Sequence, residues 1–121
     1  MFKVIFYKDK NGNEPIKDFL LNLSKNAKSN KNDRIQFNKI STYILALQTY
    51  GTRIGKPTVK HIDGDLWELR PLENRIFFFY WHDNTFVLLH HFIKKSQKTP
   101  AREIKQAKVN LKDFLERIDN K

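Results

Sequence analysis

Residues 73–95 read ENRIFFFYWHDNTFVLLHHFIKK. Two apolar runs flank His82-Asp83-Asn84-Thr85. Asp and Asn tolerate the left-handed backbone of tight turns, so the spacing predicts a β-hairpin with Asp83-Asn84 at its tip. Neither run alternates apolar with polar. Both strands should therefore be central in a sheet and covered on both faces over part of their length. The second run then changes character. Leu88 to Ile93 reads as core strand, yet Lys94, Lys95 and Lys98 follow within five positions, and Thr99-Pro100 has the form of an N-cap and a first helical residue. A core strand thus emerges at the rim of a sheet, close to a helix N-terminus, where a phosphate is favoured.

The rest of the chain fits around this hairpin. Downstream, Ile104, Ala107, Leu111, Phe114 or Leu115, and Ile118 fall on one face of a helix. Upstream, DLWELRP (65–71) reads as a short strand with Trp67 and Leu69 on one side and Glu68 and Arg70 on the other. FKVIFY (2–7) is β-branched and aromatic and runs into the turn-like KDKNGN. Pro15 suits a first helical position, and Ile16, Phe19, Leu20 and Leu23 share a face after it. SKNAKSNKN (24–32) reads as a loop between two helices. The second helix carries Phe37, Ile40, Tyr43, Ile44 and Leu47, with Asp33 near its start and Gly51 at its stop. The predicted order is β-α-α-β-β-β-α. This is an α+β fold with a small, mostly antiparallel sheet, an N-terminal helical pair and a C-terminal helix, in one domain over 1–121.

The chain has 121 residues with 23 Lys+Arg against 13 Asp+Glu, a formal net charge of +10. Such a balance attracts polyanions, nucleic acid above all. The longest apolar run, Ile76–Trp81, is far too short to cross a bilayer, and the N-terminus lacks the small-residue cleavage site of a signal peptide. We expect a cytoplasmic protein with no membrane partner. There is no cysteine, which excludes disulfides, thiol catalysis and thiolate zinc sites. P-loop and dinucleotide-binding glycine patterns, a serine nucleophile elbow, the aromatic signature of RNA-recognition motifs and zinc-finger spacing are all absent.

Glu68 and Arg70 lie two apart on one strand face and would be costly to bury unpaired. That face is either wet, with a surface ion pair, or a site in which Arg70 meets a phosphate and Glu68 serves as base or orienter. Arg75 opens the next strand after the turn at PLEN. It is either a solvated turn residue or a guanidinium clamp on a phosphoryl group. Lys94, Lys95, Lys98, Arg102, Lys105 and Lys108 are offset in their stretch by Glu103 alone, a pattern read either as a solvated face or as an anion-binding one. Of the histidines, His90 and His91 are adjacent on a strand and so point to opposite faces. The four histidines offer one candidate acid or base, but no metal-ligand set.

With these motifs in place, the stretch from Trp67 to Ala107 resembles the HigB toxins of the phage Gp49-like branch of the RelE/ParE superfamily. The resemblance rests on Trp67-Glu68-Leu69-Arg70, on Arg75-Ile76-Phe77, on the run from Phe92 through Lys94-Lys95 to Thr99-Pro100, and on Glu103-Ile104 with Ala107. It covers roughly residues 58–108. It implies a RelE-like fold and a bacterial or phage-derived toxin of a type II toxin–antitoxin system. Such a toxin cleaves messenger RNA on the ribosome without a cofactor, inhibits translation and growth, and is neutralised by a HigA-type helix-turn-helix antitoxin, through which alone it meets operator DNA. Carried over by position, the catalytic basic residues are Arg75 and Lys95, with Arg70 near the earlier strand's basic position; Glu68, from its place beside Arg70, joins them in the expected catalytic set. RNA contact is assigned to Lys94, Lys98, His91 and Arg102, and no residue to a metal. Two other readings share the sequence features: a ParE-like toxin directed at gyrase, and a non-catalytic nucleic-acid-binding module.

Overall fold

The computed structural model describes residues 1–119. Strand β1 (Lys3–Phe6) leads to helices α1 (Pro15–Asn26) and α2 (Lys31–Tyr50). After a single 3-10 turn (Gly51–Ile54) come β2 (Val59–Asp63), β3 (Leu66–Leu69), β4 (Asn74–Tyr80), β5 (Thr85–Ile93) and α3 (Ala101–Asp119). The strands form one sheet in the order β1-β5-β4-β3-β2, with β1 parallel to β5 and every other pairing antiparallel. The predicted α+β architecture and element order hold, with one strand added. That strand, β2, is an edge strand whose residues are mostly exposed. An edge strand has no need of an apolar stripe, so VKHID lacked the periodicity that marked the others.

The hairpin forms as its sequence requires. Asp83 and Asn84 both have positive φ, 52° and 62°, as a type I′ turn demands. Its two strands are central and covered on both sides. Leu69, Ile76, Phe78, Phe86 and Leu88 pack against Ile16 and Leu23 of α1 and Ile40 and Leu47 of α2. Leu66, Phe77, Phe79, Val87, Leu89 and Phe92 pack against Ala107 and Phe114 of α3. Burying each large apolar side chain contributes about 1.5–3 kcal/mol. The helical pair is held to the sheet partly by Gly51. It ends α2 at φ 65°, and a Cβ there would lie 2.8 Å from the Phe2 ring. Glycine therefore serves both the turn and the close approach.

Two local features set the far end of the sheet. Phe77 pairs with His90 but Phe78 with Leu88, so Leu89 is an extra residue in β5. This bulge lets Leu89 and His90 both face α3, while His91 turns to α1. Helix α3 begins at Ala101, one residue later than Thr99-Pro100 suggested. The Pro100 carbonyl accepts from Glu103 and Ile104 N–H, and the Thr99 hydroxyl points elsewhere, as described below.

Candidate phosphate-binding cleft

Three elements converge where β5 leaves the sheet. The turn between β3 and β4 closes by a hydrogen bond from Asn74 N–H to the Pro71 carbonyl. The β3–β4 register pairs Glu68 with Phe77 and Leu69 with Ile76. Continued by one step, it sets Arg70 opposite Arg75. The ladder also runs past the end of β5, since Lys94 N–H donates to the Glu73 carbonyl at 2.8 Å. Arg70, Leu72, Glu73, Arg75, Lys94, Lys95, Ser96 and Gln97 then line one open cleft of about 630 Å³.

Two guanidinium groups opposed across a strand pair repel. Glu68 offsets that repulsion from beneath. Its side chain is 1 % exposed, with Oε1 3.5 Å from Arg70 Nε and 3.8 Å from Arg75 Nε. These are ion-pair distances, too long for hydrogen bonds, and Glu68 Oε1, Arg70 Nε and Arg75 Nε all lack a hydrogen-bond partner. Glu68 Oε2 accepts the Thr99 hydroxyl at 3.4 Å. Arg75 is fixed from the other side, its Nη1 donating to the Leu72 carbonyl at 2.7 Å and the Asn74 carbonyl at 2.8 Å. Leu72 reaches that position with φ 57°, an uncommon conformation for a residue with a Cβ. Burial pulls the Arg75 guanidinium below its ordinary value and Arg70 adds to this, while Glu68 opposes it. Lys94 is also pulled below the ordinary lysine range, first by desolvation and then by Arg75 and Arg70, against Glu68.

The opposite face of the same sheet end is neutral. Asn74 is buried and donates through Nδ2 to Gln36 Oε1. That donation fixes the amide, so its Oδ1 accepts from His91 Nε2 at 2.9 Å and His91 carries its proton on Nε2. The imidazole stacks on Phe19 at 4.0 Å. Burial, assisted by His90, pushes the His91 pKa down to about 4, against the pull of Glu103.

Of the residues singled out from sequence, Arg70, Arg75, Lys94 and Lys95 come together in the cleft, with Glu68 directly below the two arginines. The Glu68 carboxylate, 1 % exposed, faces the two arginines and is not among the residues that line the cleft. Lys98 and Arg102 are exposed on the segment beyond. His91 is not brought to the arginines, and at neutral pH it offers no positive charge. With Lys95 and Arg102 it instead lines a second, adjoining cleft. Thr99, Asn74, Glu73 and Leu72 were not anticipated. Their roles depend on tertiary contacts or on a turn conformation that local pattern does not encode. Among the described residues no group of three or more His, Asp or Glu is gathered as a metal site would need, and no helix is long and apolar enough to cross a membrane.

The sequence model of the family described as phage-derived protein Gp49-like matches residues 18–112, from α1 well into α3. No curated protein matches the chain.

Proposed function

The chain belongs to the phage-derived Gp49-like family, a RelE-type, toxin-like family, and from that premise we propose that it is a HigB-type toxin that cuts messenger RNA on the ribosome. The observation that supports this most is the cleft itself. Four cations line it against the one carboxylate of Glu73, with Glu68 buried beneath, and the guanidinium groups of Arg70 and Arg75 share that buried counter-charge. A single phosphate entering there meets two planar donors already oriented.

The chemistry that suits such a cleft is transesterification within the RNA. The 2′-oxygen attacks the adjacent phosphorus and loses its proton. The bond from phosphorus to the 5′-oxygen breaks, and that oxygen gains a proton. The products are a 2′,3′-cyclic phosphate and a 5′-hydroxyl. Arg70 and Arg75 stabilise the charge gathering on the non-bridging oxygens. Lys95, and Lys94 with its lowered pKa, stand at the rim as proton carriers. Glu68 and Thr99 hold the arginines from below. Lys98 and Arg102 guide the RNA chain electrostatically, so binding should fall steeply with added salt. No divalent ion takes part in these steps. The protein would act in the cytoplasm, under control of a HigA-type helix-turn-helix antitoxin.

The test is to express the protein in growing cells and map transcript 5′ ends. Cuts within translated frames, bearing 5′-hydroxyls, are expected. With an oligonucleotide substrate, a 2′-O-methyl group at the scissile nucleotide should block cutting, since the nucleophile is lost. Broken chromosomal DNA beside intact transcripts would instead identify gyrase as the target. A 5′-phosphate on the downstream fragment would replace internal attack by hydrolysis.

A further inference from the structure

A second cleft, about 580 Å³, adjoins the first and shares Lys95 and Ser96 with it. Its floor is His91, Phe92 and Ile93. Alternate side chains leave a strand by opposite faces, so three consecutive residues line one cleft along the strand's edge or across its end. That edge is open. The pairing of β1 with β5 stops at Phe6 and Leu88, and among the described residues no strand continues it beside His90–Ile93. Pro100, Arg102 and Glu103 form the opposite wall.

The chemistry of this second cleft differs from that of its neighbour. Ile93 is 51 % exposed and, with Phe92 and Pro100, gives an apolar surface. Glu103 supplies a carboxylate. Its Oε1 accepts from His90 Nε2 at 2.8 Å, while Oε2 has Arg102 Nε at 3.9 Å and accepts no hydrogen bond among the described residues. Lys95 and Arg102 also line this cleft, so two cations stand against one carboxylate where the first cleft sets four against one, and the pull on a second phosphate is weaker. An apolar floor, a free acceptor and an unpaired strand edge favour a flat group that carries hydrogen-bond donors.

We infer that this second cleft is a nucleobase subsite, holding the base beside the scissile phosphate, and that the Glu103 carboxylate selects a base bearing an exocyclic amino group over uracil. Adenine, cytosine and guanine each offer such a donor, whereas uracil offers only its ring N3–H, flanked by two carbonyl oxygens that a carboxylate repels. The shared Lys95–Ser96 wall puts the two clefts side by side. The inference rests on the RNA-cleaving reading above.

The experiment compares cut sites, mapped on cellular transcripts, for the wild type and Glu103→Gln. The amide keeps the shape and the bond to His90, and replaces one acceptor oxygen by a donor. In the wild type, one position flanking the cut should be depleted in uracil. In Glu103→Gln that depletion should shrink roughly fivefold or more, the loss of one base-edge hydrogen bond, with the other flank unchanged. Lys98→Ala is the control, lowering total cutting without altering base frequencies. Ile93→Ala is the second variant, at a half-exposed position where truncation leaves no cavity. It should weaken the same positional preference by removing the surface on which the base lies. Abundant cuts with identical flanking bases in wild type, Glu103→Gln and Ile93→Ala overturn the subsite while leaving the nuclease standing. Transcripts left intact by the wild type overturn the nuclease and the subsite together.

Discussion

Asn74 and Arg75 are neighbours in the chain, yet the two faces they serve are opposites. On the α1–α2 side, Asn74 joins Gln36 to His91 in a neutral network in which each named donor has an acceptor. On the other side, a buried Glu68 stands at ion-pair distance from the half-buried Arg75 and Arg70, and three of their buried polar atoms have no hydrogen-bond partner. Unsatisfied buried polar atoms cost about 1–3 kcal/mol each, so a fold optimised for stability alone would resemble the first face. The difference separates a support from a site. The neutral network fixes the end of β4, whereas on the function proposed above the charged cluster serves to present its guanidinium groups to a phosphate.

Substitutions on the charged face should break that contrast most strongly. Arg75→Ala is a poor probe, because it would leave the buried Glu68 with Arg70 alone. Arg75→Lys keeps the charge and loses the planar fork and its two carbonyl anchors. We expect near-native melting and a fall in RNA cleavage of about a hundredfold, the usual cost of one transition-state donor. Full activity in Arg75→Lys would reduce the arginine to a structural cation.

Glu68→Gln tests the ion pairs themselves. It leaves two opposed, half-buried guanidinium groups without their counter-charge, at a cost of about 1–3 kcal/mol. If the cluster is an anion site, sulfate should restore much of the lost melting temperature at an ionic strength where chloride does not. Equal recovery in both salts would indicate general screening.

The neutral face should respond to pH. The folded-state pKa of His91, about 4, lies below the ordinary value near 6.5, so the folded protein binds this proton less well than the unfolded chain. The neutral ring is therefore fully compatible with folding above pH 6.5, and stability is lost as pH falls from there towards 4. The loss approaches about 3 kcal/mol. His91→Gln should flatten that part of a stability–pH curve. Asn74→Ala should destabilise by about 1–3 kcal/mol through the orphaned imidazole N–H, while purified, folded protein still binds RNA. An unchanged pH profile in His91→Gln would assign the acid sensitivity to other groups.

These contrasts also explain what could be read in advance. The hairpin, the helical pair and α3 were legible because burial on both faces, or on one stripe, leaves a periodic trace. Strand β2 left none. The cations of the cleft were visible as a cluster in sequence, since Arg70, Arg75, Lys94 and Lys95 belong to strands joined by short turns. What stayed hidden was depth. Nothing in WELR says that Glu68 lies beneath both arginines instead of beside them in water, or that Thr99 leaves the helix cap to reach it. The surroundings of His91 stayed hidden for a related reason. Adjacent histidines alternate faces, but which one meets α1 depends on the bulge at Leu89, a tertiary feature.

The smallest effect should come from the turn that links the two faces. Leu72 is 42 % exposed and has φ 57°, and its carbonyl accepts from Arg75 Nη1. A left-handed conformation costs a residue with a Cβ about 1–2 kcal/mol, while glycine adopts it freely but loses more entropy on folding. The two terms nearly offset, so Leu72→Gly should shift stability by less than about 1 kcal/mol and leave cleavage within severalfold of wild type. Leu72→Pro is the informative partner. Its ring holds φ near −65°, so the carbonyl can no longer face the guanidinium. If backbone geometry positions Arg75, Leu72→Pro should lose cleavage while Leu72→Gly retains it. If instead both variants lose cleavage equally while remaining folded, the leucine side chain, not the turn, is what the reaction requires at position 72.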